Sequence, residues 1–253
     1  ILYSTYFYFR FKRKIYMETI KRFISVNILL LFSILYSQSY TVSVLGYTIA
    51  NIEITTKNSS EKRFELQSRG VADLLFPAKN NYLTNYDSST FFLEKYNYDI
   101  NQLDFDIVYD AQTDSSYNLI YNKKDTLFLE NSVHNFFTLI SILETKNTSS
   151  FDTKWFNYES IGELGRARFI WSDSTNIFVN NDSIMCDHYR LDIDIPDREN
   201  SLFEQVDYLS SYLDQNNQVK EIWVSKKKKK IILMKIKVSP FNIDIKIVEN
   251  KRI

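Results

Sequence analysis

Residues 220–248 read KEIWVSKKKKKIILMKIKVSPFNIDIKIV, and their alternation decides the fold. Ile222, Trp223 and Val224 form a short strand, and Lys226 to Lys230 make a polar turn. In the return strand Met234, Ile236 and Val238 alternate with Lys235 and Lys237. Ser239 to Asn242 turn the chain again. Ile243, Ile245 and Ile247 then alternate with Asp244 and Lys246. A period of two puts one face of each strand in a core and the other in water. The unit is an antiparallel meander, and slipping it by one residue would drive its lysines inward.

The same period recurs upstream. Tyr40, Val42 and Val44 alternate with Thr41 and Ser43. Ile52 and Ile54, then Phe64 and Leu66, do likewise. Tyr82, Thr84 and Tyr86 follow, and Leu103, Phe105 and Ile107 oppose Asp104, Asp106 and Val108. Ala167, Phe169 and Trp171 alternate imperfectly; Leu191, Ile193 and Ile195 oppose Asp192 and Asp194 cleanly. Polar outer faces exclude a doubly wound parallel sheet, whose strands are buried on both sides. Asn-rich breaks such as Asn80-Asn81 and Asn180-Asn181 punctuate the strands.

One stretch changes period. Val133, Phe136, Phe137, Ile140 and Leu143 share a helical face, so a helix is expected from Val133 to about Leu143 or Glu144. Ser132 is its expected cap, with His134 and Thr138 turned to solvent. Phe203 to Leu213 is a weaker helix candidate, equally readable as a loop. The fold class expected is mainly β with minor α: a strongly curved antiparallel sheet, an open or half barrel, with one or two packed helices.

The chain has 253 residues, 44% hydrophobic and 16% aromatic, enough for one substantial core. Its Phe and Tyr content excludes disorder. Its single cysteine excludes an internal disulfide and a four-cysteine zinc site. From Met17 the chain reads METIKRFISVNILLLFSILYSQS: Lys21 and Arg22, then an apolar run from Phe23 to Tyr36, then small residues. That order is a secretory signal peptide, 17–39, with 1–16 an upstream extension and 40–253 a single β domain. The apolar run is too short for the usual spanning helix, leaving no stable transmembrane span once the signal is removed. No cysteine stands at the cleavage point, so an exported periplasmic or envelope protein that is not a lipoprotein is expected. Residues 1–39 hold six basic residues and Glu18, so 25 basic and 30 acidic residues follow. Eight of those basic residues are lysines between Lys220 and Lys237. A body of that sign does not attract nucleic acid.

Few residues invite chemistry. Cys186, Asp187 and His188 cluster on one strand, Cys186 and His188 on one face. Two ligands are too few for structural zinc, and His134 would have to arrive from the helix as a third. A nucleophilic Cys-His pair needs an orienting group that no motif supplies. Asp104/Asp106 and Asp192/Asp194 each place two carboxylates on one strand face, a spacing compatible with a glycosidase pair. The same spacing arises wherever acids cover a solvated face. Lys226, Lys227, Lys228, Lys229 and Lys230 read as a solvated turn or as a patch for anionic surfaces. No nucleotide, zinc-protease or hydrolase motif is present. No catalytic residue, metal or cofactor is assigned.

The order of these features resembles the DUF3108 family of exported bacterial proteins of unassigned function. The stretches that carry it are YTVSVLGYTIANIEI (40–54), the helix at 132–143 after DTLFLEN, SIMCDHYRLDIDI (183–195) and KEIWVSKKKKKIILMKIKV (220–238). Ile232 and Leu233 stand where the family usually has Pro, and Phe241-Asn242 where its final turn usually carries Gly. The resemblance implies a curved sheet with helical elements near its concave side, similar to the envelope lipoprotein carriers LolA and LolB. It brings no catalytic residues. On this reading the chain is a non-enzymatic envelope protein holding an apolar ligand, lipid or partner segment on its concave sheet. Phe136, Phe137, Ile140 and Trp223 are the candidate lining. The alternatives are an envelope hydrolase using strand carboxylates, a purely structural or assembly protein, and an outer-membrane barrel.

Overall fold

The computed structural model describes residues 37–103, 105–196, 202–203 and 206–248. The expected leader run 23–36 and the extension 1–16 lie outside the described residues. Strand β1 spans Ser37–Val44 and the compact unit begins at Gln38, so the sheet starts just ahead of Tyr40, the expected domain start.

The N-terminal strands are β2 (Tyr47–Lys57), β3 (Glu61–Ser68), β4 (Ala78–Tyr86), β5 (Leu93–Gln102), β6 (Phe105–Thr113), β7 (Leu119–Tyr121) and β8 (Asp125–Leu127). The C-terminal ones are β9 (Phe156–Ser160), β10 (Glu163–Val179), β11 (Asp182–Asp194), β12 (Val219–Ser225), β13 (Ile231–Val238) and β14 (Phe241–Val248). Among the described residues they are interrupted by the α-helices α1 (Val71–Leu75), α2 (Phe136–Thr145) and α3 (Tyr208–Leu213). All fourteen strands form one curved antiparallel sheet, ordered β8-β7-β6-β5-β4-β3-β2-β1-β14-β13-β12-β11-β10-β9. Two meanders are therefore joined where β1 pairs with β14, Val42 opposite Ile245. Because each step is a hairpin, successive turns alternate between the two ends of the sheet. The turns β1–β2, β3–β4, β5–β6 and β13–β14 lie at one end. The lysine turn β12–β13 lies at the other.

The C-terminal meander has the expected register. Lys235 lies opposite Glu221 and Asp244, on the outer face. Val224, Met234, Ile236, Ile243 and Ile245 are buried, while Ile247 is half-buried. Elsewhere two local devices disturb the alternation. In β10 the register shifts between Trp171 and Asp173, and Trp171 is 43% exposed. Leu103, read as inward, sits in the β5–β6 turn and is exposed.

Helix α2 lies inside the curve. It starts at Phe136 rather than Val133, and its cap is Asn135, not Ser132. Asn135 accepts from the Thr138 amide at 3.0 Å, while the Thr138 hydroxyl accepts from the Asn135 amide at 3.0 Å, a reciprocal capping box. Ser132 precedes a strand-like segment instead. The His134 amide donates to the Asn157 carbonyl of β9, and Leu93 of β5 donates to the Val133 carbonyl. That segment bridges the gap between the two halves of the sheet. His134 and Thr138, expected in solvent, are buried, because every residue from Phe136 to Leu143 is enclosed. As far as Leu143 the helix has no water-facing side. Phe137 meets Phe64, Tyr82 and Tyr98 at centroid distances of 5.3, 5.4 and 5.7 Å.

Candidate functional site

The interior is a tyrosine cage organised by carboxylates. Strands β4, β5, β7 and β9 alternate so that Tyr82, Tyr96, Tyr98, Tyr121 and Tyr158 all point inward and are almost completely buried. A buried hydroxyl must find a partner or forfeit its hydration. Tyr82 donates to Asp207 at 2.6 Å, and Asp207 also caps α3 through the amides of Leu209 and Ser210. Tyr158 and Ser160 of β9 donate to Asp214, at 2.9 and 2.5 Å, where α3 ends. Helix α3 is thus tied at one terminus to β4 and at the other to β9. It is the ordered part of the second helix candidate. Tyr98 accepts from Asn135 at 2.8 Å, joining the α2 cap to β5.

Glu159 is the pivot. Its Oε1 accepts from Tyr121 of β7, from Tyr96 of β5 at 3.2 Å and from the Gly162 amide at 2.9 Å, while its Oε2 is buried without a partner. It sits on edge strand β9 and reaches across to the opposite margin of the sheet. Burial pushes its carboxyl up to about 7, against the opposing pull of these donors. Burial likewise drives His134 down to about 4 and Lys220 down to about 8. The His134 ring contacts the Phe91 carbonyl at 3.0 Å; the Lys220 ammonium donates to the Gln215 carbonyl at 2.7 Å. Lys62 is a further inward lysine, paired with Glu144 of α2 at 2.7 Å.

These interior acids are structural in their contacts. Glu159 and Asp214 line neither the surface groove nor the internal void described below. The acids expected as strand pairs stand on the outer face. Asp192 is held by Arg168 at 3.0 Å and Arg190 at 2.6 Å, and Asp194 by Arg166 at 2.9 Å. Asp106 is exposed, and Asp104 lies outside the described residues. Among the described residues the outer face carries these pairs together with Lys237–Glu221 and Lys95–Asp110.

Phe136, Phe137 and Ile140 lie together beside residues of β1–β3, β13 and β14. Trp223 does not join them. It lies on the outer face, in a separate cluster with Cys186, Val179, Ile232 and Leu233. His188 stacks on it at 4.3 Å, with its ring nitrogens near Asp173 at 3.3 Å and Glu221 at 3.5 Å. Cys186 is buried, and burial raises its thiol to about 11, so it remains protonated near neutrality. His134 is in the interior, bound to the Phe91 carbonyl, and does not meet the Cys186–His188 strand face. In the lysine turn Lys226 pairs with Asp187 at 3.3 Å, while Lys227 to Lys229 are exposed.

The space between α2 and the sheet is about 30 Å³, lined by Tyr40, Phe64, Phe137, Ile140, Met234 and Ile245 among others. That is room for about one water molecule, where a carrier was expected to enclose several hundred Å³. A larger recess of about 820 Å³ opens on the surface at the lysine end, bordered by Phe92, Glu94, Lys95, Gln112, Tyr117 and Leu129. Asp87 and Asp114 on its rim are tied to their own loops by Ser89, Thr90, Ser116 and Asn118, which holds both carboxyls below the usual range.

Sequence reasoning missed the tyrosine cage and the bridging role of Val133-His134. The inward tyrosines Tyr82 and Tyr86 of β4 were visible as alternation; Tyr96 and Tyr98 of β5 were not read. Their carboxylate partners, up to 125 residues away, left no local signal.

No protein-family model matches the chain, so membership of DUF3108 is not shown. No curated protein matches either. Among solved structures, a β-barrel-like protein of domain of unknown function DUF1849 from Brucella abortus is similar, with TM-score 0.53 and 11% identity over 84% of this chain and 94% of that one. The hypothetical lipoprotein YmcC from Escherichia coli K12 gives TM-score 0.37 and 8% identity over 85% of this chain and 87% of that one. The first likeness shows a common β-barrel-like fold and carries no activity with it.

Proposed function

We propose that this chain is a non-catalytic, exported envelope protein, and that its curved sheet is a self-filled scaffold engaging partners through its outer surface. The observation that carries the reading is α2. Enclosed on every side as far as Leu143, it fills the concave face and leaves about 30 Å³. An apolar ligand there would have to displace Phe136, Phe137 and Ile140, each worth roughly 1.5–3 kcal/mol of burial. These side chains are the other half of the core. The buried acids Asp207, Asp214 and Glu159 support the non-catalytic part: tyrosine, serine or backbone donors bind Asp207, Asp214 and the Oε1 of Glu159, and none of the three borders the surface recess. Export rests on the basic-then-apolar order from Lys21 to Tyr36, and localisation in the periplasm or envelope follows from it.

A second reading places a partner segment in the recess at the lysine end, because that space is large enough and has aromatic walls in Phe92 and Tyr117. Lys226 to Lys230 are then a solvated turn rather than a lipid site. The discriminating experiment is mass spectrometry of organic extracts from protein purified from its native envelope and exchanged through detergent. The scaffold reading expects no stoichiometric lipid. One tightly held lipid per chain would establish a carrier and remove it.

A further inference from the structure

The end of the sheet opposite the lysine turn displays large apolar side chains that the fold does not use. Helix α1 buries none of its residues. Val71 is 70% exposed, Leu74 82%, Leu75 58% and the following Phe76 59%. Beside it, in the β1–β2 turn at the same end, Leu45 and Tyr47 are exposed by 74% and 77%. The two turns adjoin, because the Arg69 amide donates to the Ile49 carbonyl at 2.8 Å. Single exposed leucines need no explanation, but six large apolar residues gathered on two neighbouring turns do.

The display is built rather than loose. Gly70, with φ of 62°, turns the chain out of β3 through a conformation that side-chain-bearing residues disfavour. Ser68 then staples the base of the excursion. Its hydroxyl donates to Asp73 at 2.5 Å and accepts from the Ala78 amide at 2.9 Å. The apolar residues are held outward from a fixed base.

We infer that this end docks onto the surface of an anionic lipid bilayer, with Leu74, Leu75 and Phe76 inserted at the headgroup boundary. The six residues are 58–82% exposed, and none lines the recess or the internal void. Side chains presented this way suit a fluid interface, which requires no complementary shape. The charges agree. Arg69 and Lys79, both exposed, flank the excursion at its base, and the one acid between them, Asp73, is bound to Ser68. Apolar residues at the tip with cations behind them are the arrangement of interfacial anchors. The inference accords with a scaffold that works through its surface, but stands on separate residues from the filled interior. The lysine turn lies at the opposite end, so the two cannot engage one flat membrane together.

The test uses a nitroxide spin label on the full chain, at Leu74→Cys or, at the opposite end, at Lys228→Cys. Accessibility to oxygen and to a water-soluble nickel complex is measured with phosphatidylcholine vesicles, with and without phosphatidylglycerol. Both sites are exposed and Cys186 is buried, so labelling leaves the fold intact, which an unchanged thermal melt verifies. The expected result is a label at 74 that enters the lipid phase with phosphatidylglycerol present, and a label at 228 that stays aqueous. With the label at 74, Leu75→Gln with Phe76→Ser should weaken vesicle binding by about tenfold or more, the loss expected for two inserted apolar side chains. A label at 74 that remains aqueous on bound vesicles overturns the proposal. So does lipid contact at 228 instead of 74, or immobilisation at 74 by protein concentration alone, which would identify a second copy as the occupant. None of these outcomes bears on whether the interior is filled.

Discussion

Glu159→Gln separates the proton-linked part of this protein's stability from the rest. The carboxyl is held near 7 in the folded chain against an ordinary value of 4.5. Its stabilisation is therefore complete below 4.5 and is lost as pH rises through 7. A difference of that size corresponds to roughly 3 kcal/mol at its full extent. His134 runs the other way. Its folded value is about 4 against 6.5, so its contribution is complete above 6.5 and is lost as pH falls through 4. The two windows overlap, and between about 4.5 and 6.5 the opposing slopes nearly cancel. Wild-type stability should be nearly flat there and fall toward pH 8. Gln keeps an acceptor for Tyr121, Tyr96 and Gly162 but places an amide where Oε2 has no partner, a constant cost of about 1–3 kcal/mol. That constant cancels when two pH values are compared. Urea unfolding followed by tryptophan fluorescence should show the variant's destabilisation shrinking by roughly 3 kcal/mol from pH 4.5 to pH 8. Its own stability should climb through the window in which His134 deprotonates. An identical difference at both pH values would refute the protonated, buried state of Glu159.

Other substitutions test separate parts of the core. Lys62→Ala should cost about 3–5 kcal/mol, because it strands Glu144 beneath the sheet, whereas Lys62→Met with Glu144→Gln should recover most of that loss in chemical denaturation. Asn135→Ala should cost about 2 kcal/mol, since it removes the α2 cap and a partner of Tyr98, while Ser132→Ala should be nearly silent in the same assay. Ile245→Ala, at the β14 seam with β1, should lose roughly 2–5 kcal/mol in thermal or urea unfolding. Replacing Lys227 to Lys229 with Gln should move stability by less than about 0.5 kcal/mol, as those side chains are exposed.

The sheet was legible where one face is wet. Lys235 and Lys237 alternate with Met234 and Ile236, and only one register keeps those lysines out of the core. Alternation failed at Leu103, which sits in the β5–β6 turn, and at Trp171, which keeps the phase of Ala167 and Phe169 yet is 43% exposed just ahead of a bulge. Helix α2 was found by its apolar spacing, but its start, cap and orientation were not. An amphipathic stripe presumes a solvent face, and as far as Leu143 α2 has none, so Thr138 and Ser141 are buried with their hydroxyls on backbone carbonyls. Two functional readings turned on facts no local pattern contains. The filling of the concave face depends on Phe137 meeting three strands at once. The pairing of Asp207, Asp214 and the Oε1 of Glu159 depends on tyrosines far away in the chain. Trp223 was grouped with the helix residues because strand faces cannot be assigned to inside or outside from one strand alone. The exposed apolar run of α1 was present as VADLLFP, but strand periodicity neither includes nor explains it.

The filled interior is tested most directly by titrating wild-type protein and Phe137→Ala with a benzene-sized fluorescent apolar probe, both kept well below their unfolding transitions. Wild type should show no saturable uptake, because about 30 Å³ beside α2 admits no such molecule. The variant, with a ring removed from the point where β3, β4 and β5 meet the helix, serves as the positive control for entry. Saturable one-to-one binding to wild type, abolished or altered at Phe137, would contradict the scaffold reading and restore a carrier.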